Sequence, residues 1–230
     1  MQNIQDRILY EDNHLIVVNK LCGEIVQGDK TGDPSMIETI RAFIKDRDGK
    51  PGNVFLEAVH RIDRPVSGLV VFAKTSKGLS RMNKLFHDGE VCKMYWAIVG
   101  NLPPQNTQLL KHYIVRNPEK NKSFAYTESK PNRKEARLTY TVLGTTGRYY
   151  LLQVELHTGR HHQIRAQLAK IGLPIRGDLK YGAPRSNPDG GINLHAYSLT
   201  FTHPVTSETI KIIAPPPSDT LWNACCEITK

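Results

Sequence analysis

The sequence predicts an α+β fold whose mixed, largely antiparallel β-sheet is flanked by helices and loops. Apolar runs with a two-residue alternation, which is typical of strands, outnumber the stretches with helical spacing. Several of these runs are separated by too few residues for a helical crossover, so neighbouring strands are expected to be antiparallel. The 230 residues and 39% hydrophobic content can form a sizeable core, and no clean linker interrupts them. We therefore expect residues 1–230 to form a single domain.

The strands are predicted from β-branched and aromatic runs that are bounded by turn residues. They are expected at residues 8–10, 15–18, 70–73, 91–100, 136–142, 150–156, 193–201 and 210–212, and a further strand is expected to begin with residues 54–56 and to lead toward His60. In the run over 91–100, alternation places Cys92 and Trp96 on the core face. Lys93 and Tyr95 then share the opposite face, which could line a cleft.

The helices are predicted from their start and stop signals. The first is expected to begin at Asp33–Pro34, because aspartate caps a helix and proline fits its first turn. The second is expected to have Ser76 as its cap and to end at Gly89. A third is expected after Gly159, and a short fourth from Ser218.

Composition restricts the class of partner. The formal net charge is +9 and the isoelectric point is near 9.4, which favours a polyanion: nucleic acid first, an acidic membrane second. No apolar run is long enough to span a bilayer, and the N-terminus lacks the regions of a signal peptide. We therefore expect a cytoplasmic protein.

The stretch from His60 to Gly68 has the strongest concentration of chemistry-bearing groups. Arg61 and Arg64 flank Asp63, and a positive neighbour on each side favours the charged form of a carboxylate. Asp63 is therefore a candidate nucleophile or base. The alternative is that Asp63 caps a turn and pairs with a neighbouring arginine.

A basic segment over residues 116–137 is interrupted by Phe124 and Tyr126. Lys130, Arg133 and Lys134 belong to it. Charge interleaved with aromatic rings suits an RNA backbone with stacked bases. A solvated loop or hairpin explains the same composition, and the sequence alone leaves both interpretations open.

The stretch over 157–165 is a second polar cluster. The predicted helix start beside Arg160 suits a phosphate or a carboxylate, and Arg165 lies at the edge of the apolar stripe of that helix. His157 and His161 have the spacing of a metal pair, but Gly159 separates them and no glutamate lies between them. We therefore predict no metal site, and the absence of a P-loop motif predicts no nucleotide cofactor.

With these residues in view, the chain resembles the RluA family of pseudouridine synthases over nearly its whole length. The stretch over 60–68 with Phe72-Ala73-Lys74 is similar to the catalytic motif of that family. Other similar motifs are Tyr10-Glu11-Asp12 with 17–20, Lys93-Met94-Tyr95-Trp96-Ala97, the run over 158–165 with Gly177-Asp178 and Tyr181-Gly182, Leu194-His195-Ala196, and His203-Pro204. Departures from the family pattern are Leu21, where proline is usual, and Gln167, where histidine is common.

The resemblance implies the pseudouridine synthase fold, with a central RNA-binding catalytic cleft, and isomerisation of uridine to pseudouridine without a cofactor. It implies that Asp63 acts at the sugar, either as nucleophile at C1′ or as base at C2′. It further implies that Tyr95 stacks on the uracil, that Arg165 forms an ion pair with Asp63, and that Arg61 fills the space vacated by the flipped base. Without the motif, Arg165 would be read as a helix arginine that pairs with any nearby acid.

The expected partner is RNA, either rRNA or tRNA, with neither a membrane nor a metal, and the protein is expected to be a monomer. The residues expected to contact RNA are Arg61, Arg160, His161, Lys130, Arg133 and Lys134. The chain begins too close to the first motif to hold the S4 RNA-binding domain that many family members carry, so the catalytic domain itself is expected to contact RNA. The competing interpretation is a non-catalytic RNA-binding or chaperone protein on the same fold.

Overall fold

The structure is a computed structural model that describes residues 3–28 and 32–229. Within these ranges the chain forms eleven strands, four α-helices and two short 3-10 helices. The strands are β1 (Ile8–Glu11), β2 (Leu15–Lys20), β3 (Glu57–Ala58), β4 (Ser67–Ala73), β5 (Cys92–Val99), β6 (Thr107–Asn117), β7 (Lys122–Tyr126), β8 (Lys134–Thr145), β9 (Tyr150–Leu156), β10 (Leu194–Thr202) and β11 (Thr209–Ile213). The helices are α1 (Met36–Arg47), α2 (Ser76–Asp88), α3 (Gln163–Lys170) and α4 (Thr220–Ile228).

The chain divides into two compact units. The first contains the described residues up to Val91 together with Ala196–Pro215, and the second contains Cys92–His195 together with the described residues from Pro216. In the first unit the strand order is β1-β2-β4-β10, with β3 paired to β4 and β11 paired to β10. In the second it is β5-β9-β8-β6-β7. The predicted α+β fold with a largely antiparallel sheet is confirmed, since the β1–β2, β2–β4 and β10–β11 pairs and all four pairs of the second unit are antiparallel.

Helix α1 covers one face of the first unit's sheet. Its apolar face buries Ile40 and Ile44, both fully inaccessible, against Ile16 on β2 and Phe72 on β4. Strand β4 is buried on both faces along its whole length, which explains why its sequence is an unbroken apolar run. This packing fixes the point at which the segment containing Asp63 enters the sheet.

The predicted helix starts are displaced by one to three residues. Helix α1 is capped by Ser35, not by Asp33: the hydroxyl of Ser35 accepts from the Glu38 N–H, and the Glu38 carboxylate accepts from the Ser35 N–H. This reciprocal pair satisfies two amide donors at once, which a lone aspartate does not. Helix α2 is capped by Thr75, not by Ser76.

Two further element predictions need correction. No strand forms at residues 54–56; the short strand β3 begins only at Glu57 and pairs with the end of β4. The last helix begins at Thr220, because the Asp219 carboxylate accepts from the N–H groups of Leu221 and Trp222. Ser218 therefore lies outside it.

In the second unit, α3 packs against the β6–β7 side of the sheet. All residues from 163 to 168 are buried, so the helix has no exposed polar face over that span. The side-chain amide of Gln167 donates to the carbonyls of Leu110 on β6 and Ala136 on β8. A residue that departs from the family pattern therefore has a structural role in the core.

Candidate active site

Asp63 lies in a turn that leads into β4. It is half-buried, and its carbonyl accepts a hydrogen bond from the Val66 N–H at 3.0 Å. The chain then enters β4 through Gly68, whose φ is +111°. A Cβ at Gly68 would lie 2.5 Å from the backbone nitrogen of Ala196, so only glycine fits this close approach of two strands.

Lys20 holds the turn that contains Asp63. Its side chain is fully buried at the end of β2, and its ammonium donates to the carbonyls of Leu21, Arg64 and Val66 at 2.9, 3.0 and 2.7 Å. Three donors thus meet three backbone acceptors, and two of these, on Arg64 and Val66, lie directly after Asp63. Burial lowers the pKa of Lys20 to about 8.

The two arginines that flank Asp63 differ in their surroundings. Arg64 forms an ion pair with Asp33 at 2.8 Å, and both side chains are nearly half exposed. Arg61 is exposed, and its Nη1 lies 3.5 Å from Oε1 of Gln27. Arg64 therefore stabilises the turn against a neighbouring segment, while Arg61 is accessible to a ligand.

His60 is a structural residue of the same stretch. Its Nε2 accepts from the Val71 N–H at 3.2 Å, so that nitrogen carries no proton. Its ring stacks on Phe86 of α2, with the centroids 4.8 Å apart. These contacts attach the start of the stretch to both β4 and α2.

In the second unit, Arg165 forms a bidentate ion pair with Asp178. Nε and Nη2 of Arg165 donate to the two carboxylate oxygens of Asp178 at 2.7 and 2.9 Å. The two side chains are 5% and 1% exposed, so the pair is inside the protein, where such fork-to-carboxylate geometry is strongly favoured. The guanidinium also lies over the ring of Tyr181, 5.0 Å from its centroid.

The hydroxyl of Tyr181 connects three segments of this unit. It accepts from the Ser123 N–H at 2.8 Å, donates to the Ser123 carbonyl at 3.1 Å and lies 3.0 Å from Nδ1 of His162. Because the hydroxyl proton of Tyr181 is donated to the Ser123 carbonyl, the hydrogen bond between Tyr181 and His162 uses a proton on Nδ1 of His162. Burial, aided by the charge of Arg165, lowers the pKa of His162 to about 2, so this imidazole is neutral.

Tyr95 lies on β5, opposite Val154 of β9, and is 9% exposed. The predicted division of β5 into a core face and an open face is wrong at two residues, Cys92 and Tyr95. Cys92 is exposed, whereas Tyr95 and Trp96 are both buried, because both faces of the strand are covered from Tyr95 onward. Burial also lowers the pKa of Lys93.

The basic segment over 116–137 runs from the β6–β7 hairpin through the connection that follows β7 into the start of β8. Lys130, Arg133 and Lys134 lie where β7 connects to β8, and Lys130 and Lys134 are exposed. The guanidinium of Arg133 lies 3.8 Å from the ring centroid of Tyr126. The hairpin alternative is therefore right about the backbone, and the surface still presents charge beside aromatic rings.

The remaining predicted contacts lie before α3. Arg160 is exposed; its N–H donates to Oε1 of Gln163 and its Nε donates to the carbonyl of Glu135 at 3.1 Å. The ring of His161 stacks on that of His162 at 3.8 Å, and its Nδ1 lies 2.8 Å from the Ser123 hydroxyl. His161 and Arg165 are thus brought into one cluster around Tyr181.

The predicted site residues belong to two units: Asp63 and Arg61 to the first, Tyr95 and Arg165 to the second. The pairing of Asp63 with Arg165 stays a prediction. The residues that sequence reasoning missed are Lys20, Asp178 and Tyr181. All three occur in the quoted motifs, but one-dimensional spacing does not reveal which motif residues are buried together.

Neither a metal-binding group nor a membrane-spanning helix is found in the described ranges. No group of three or more His, Cys, Asp or Glu side chains there is arranged to hold a metal ion. None of the helices in the same ranges has the length and apolarity needed to cross a bilayer.

Comparison with known proteins gives consistent matches. A profile described as RNA pseudouridylate synthase matches residues 14–170. The chain is 34% identical over 218 residues to the ribosomal large subunit pseudouridine synthase C of Vibrio vulnificus, covering 92% of this chain and 66% of that protein. It is 32% identical to an RNA pseudouridine synthase of Synechocystis that is named as uncharacterized, covering 94% of this chain and 67% of that protein. The chain thus spans about two thirds of the length of these relatives.

The fold also matches a solved structure. The human RNA pseudouridylate synthase domain containing 4 superposes with a TM-score of 0.79 over 98% of this chain and 94% of that one, at 24% identity. At that identity the likeness concerns the fold.

Proposed function

Because the chain belongs to the RNA pseudouridylate synthase family, we propose that it isomerises specific uridines of structured RNA, either rRNA or tRNA, to pseudouridine. The observation that carries the proposal is the extent of the family match. Residues 14–170 include Asp63, Tyr95 and Arg165, the three side chains that the reaction is proposed to use.

The reaction rearranges bonds without an external reagent. The N1–C1′ glycosidic bond breaks, the uracil turns, C5 bonds to C1′, and the C5 proton leaves while N1 gains a proton. The reaction needs one ionised carboxylate at the sugar, and Asp63 is proposed for it, as nucleophile at C1′ or as base at C2′. The three hydrogen bonds from Lys20 support this role, because they keep the turn around Asp63 in one conformation.

The other site residues are proposed to act on the base and the carboxylate. Tyr95 would stack on the uracil and could help move the C5 proton. Arg165 would form an ion pair with Asp63, and its bidentate contact with Asp178 supports a fixed guanidinium position. Arg61 would enter the space that the flipped base leaves, and its exposure is compatible with that.

RNA recognition is proposed to involve the β7–β8 connection and the segment before α3. Lys130, Arg133 and Lys134 supply charge to the backbone, and Arg160 and His161 extend the surface. The Vibrio relative is named for the large ribosomal subunit, which favours rRNA over tRNA as the first substrate to test. We further propose that the two units act as one catalytic domain, as a monomer in the cytoplasm.

The test is release of tritium from RNA that carries [5-³H]uridine, because the C5 hydrogen is lost only when C5 bonds to C1′. Unmodified transcripts of bacterial large-subunit rRNA and of tRNA serve as substrates. Asp63→Asn should abolish release and leave filter binding of RNA nearly unchanged. Asp46→Asn removes an exposed carboxylate of the same unit and should retain full release.

Two outcomes would contradict the proposal. Release by Asp63→Asn at the wild-type rate would remove that residue from the chemistry. Binding of RNA by the wild type with no release from any transcript would favour the non-catalytic RNA-binding alternative.

A further inference from the structure

The second unit carries a cluster of arginines outside the proposed active site. Tyr149, at the end of the β8–β9 hairpin, lies between the guanidinium of Arg148, 5.5 Å from its ring centroid, and that of Arg176, 5.4 Å away. A hydrogen bond from Arg176, together with the charges of Arg148, Arg176 and Arg185, lowers the pKa of the Tyr149 hydroxyl. Two guanidiniums therefore lie beside the Tyr149 ring, and the charge of Arg185 also acts on its hydroxyl.

Within the described ranges, none of the three arginines forms an ion pair with an acidic side chain. Nη1 of Arg176 instead donates to two neutral amide oxygens, Oδ1 of Asn187 at 2.7 Å and Oδ1 of Asn193 at 2.9 Å. The guanidinium is thus held in place while its full charge remains available to a ligand.

The backbone around the cluster is held as firmly as the side chains. The Arg176 N–H donates to the Ile98 carbonyl, and its carbonyl accepts from the Asn193 N–H, both at 2.9 Å. Gly177, with φ of +87°, leaves room for Asn187: a Cβ there would lie 2.8 Å from that side-chain amide. Glycine at this position is therefore required for the contact that orients Arg176.

The turn that presents Arg148 is also ordered. The carbonyl of Tyr149 accepts from the Thr146 N–H at 2.9 Å and from the Thr145 hydroxyl at 3.1 Å. Gly147 adopts φ of +84°, which closes the short loop. Arg148 and Tyr149 consequently project from a fixed hairpin end.

We propose that Arg148, Arg176 and Arg185, arranged around Tyr149, bind backbone phosphates of the RNA substrate at a second contact surface. Grouped like charges repel one another, and a bound anion relieves that repulsion. The planar arginine fork matches the geometry of a phosphate or a carboxylate. The ligand class rests on the proposed function, which makes RNA the polyanion.

The position of the cluster defines which part of the RNA it meets. Tyr150 pairs with Val99 at one end of the β5–β9 ladder, and Tyr95 pairs with Val154 four residues away. At strand spacing this is about 14 Å. The cluster therefore contacts RNA that flanks the modified uridine, not the uridine itself.

The test compares two double variants of the exposed arginines with a charge-matched control. The variant Arg148→Ala/Arg185→Ala removes two guanidiniums, whereas Arg148→Lys/Arg185→Lys keeps both charges but loses the planar fork of arginine. The control, Lys77→Ala/Lys211→Ala, removes two exposed charges from the first unit. Filter binding of the large-subunit rRNA transcript is measured from low to high salt. Thermal unfolding of each variant verifies that it is folded.

The alanine pair should weaken binding roughly tenfold and reduce the slope of log Kd against log salt by about 2, one for each lost phosphate contact. The lysine pair should recover most of the slope but not all of the affinity, and the control pair should bind as the wild type does. Equal losses in the alanine and control pairs would overturn the proposal, because bulk charge would then be the cause. RNA binding is measured without turnover. A wild type that releases no tritium would therefore contradict the proposed function, while the comparison of RNA binding among the variants would still test this proposal.

Discussion

The ammonium of Lys20 and the carbonyl oxygen of Val66 are 2.7 Å apart in the interior of the first unit. With the bonds to Leu21 and Arg64, this contact ties the end of β2 to the turn that follows Asp63. A buried ammonium is costly unless each of its donors finds an acceptor. Here three backbone carbonyls accept from the ammonium and offset that cost.

Lys20→Met should destabilise the protein and lower its activity together. Methionine fills similar volume, but it removes three hydrogen bonds, and among the three acceptors the Arg64 carbonyl retains another donor, the Gly23 N–H. We expect a loss of roughly 3 kcal/mol in the free energy of unfolding. Urea denaturation measures that loss, and tritium release measures the activity at a temperature where the variant is folded. Lys77→Met, at an exposed position, is the control. Unchanged stability in Lys20→Met would mean that the turn does not depend on the ammonium.

Gly68→Ala should be far more damaging than alanine at another glycine with positive φ. Gly68 and Gly23 have φ of +111° and +87°, so alanine is strained at either position. Only at Gly68 would the new Cβ also meet the backbone of Ala196; at Gly23 nothing lies within 4 Å. We expect a cost of about 1 kcal/mol for Gly23→Ala and of more than about 4 kcal/mol for Gly68→Ala, which includes failure to fold.

Urea unfolding of the two alanine variants, or the yield of soluble protein where one does not fold, compares them directly. Similar stabilities would show that β4 and β10 can separate at this point at little cost.

Most strands were predictable because their signal is local, but β6 and β7 were not predicted, since charged and polar residues interrupt the apolar pattern there. Alternation and β-branched composition predicted ten-residue runs such as 91–100 to within a residue or two of β5. Helix starts were harder, because Asp33 and Ser35 are both good caps and only the return contact from Glu38 selects Ser35. The choice depends on a side chain three residues later adopting one rotamer.

The candidate site was predictable in its residue types but not in its contacts. The motif containing Arg165 was identified, yet its bidentate partner Asp178 lies thirteen residues further on, after the chain has turned back. Tyr181 was likewise found in a motif but given no role, because its hydroxyl contacts Ser123, which lies 58 residues earlier in the chain. Sequence patterns specify faces of elements, whereas such pairs depend on how the elements pack.

His162 should make stability fall as the solution becomes acidic. Its pKa is lowered to about 2 in the folded protein, first by burial and then by the charge of Arg165, while the unfolded chain titrates near 6.5. Below pH 6.5 the unfolded state therefore binds a proton that the folded state does not. The free energy of unfolding should decrease with falling pH from 6.5 downward, by at most about 1.4 kcal/mol per pH unit from this group.

His162→Asn removes the titrating group and suits the position, because asparagine tolerates its φ of +53°. Urea unfolding between pH 7 and pH 4.5 should give a shallower pH dependence for this variant than for the wild type. Identical slopes in the two proteins would show that His162 is not held neutral by the fold.

Asp178→Asn should separate the position of Arg165 from the binding of RNA. The substitution removes the carboxylate charge that Nε and Nη2 of the buried Arg165 contact, and we expect a loss of about 3–5 kcal/mol in stability. Where the variant remains folded, kcat should fall at least tenfold while KM for the rRNA transcript changes little, because Arg165 is proposed to act on Asp63 and not on the RNA backbone. Asp178→Glu keeps the charge with a longer reach and should retain more activity than the asparagine variant. A rise in KM at unchanged kcat would instead indicate that the Arg165–Asp178 pair acts in RNA binding. Wild-type kinetics in a folded Asp178→Asn protein would show that the orientation of Arg165 does not depend on this ion pair.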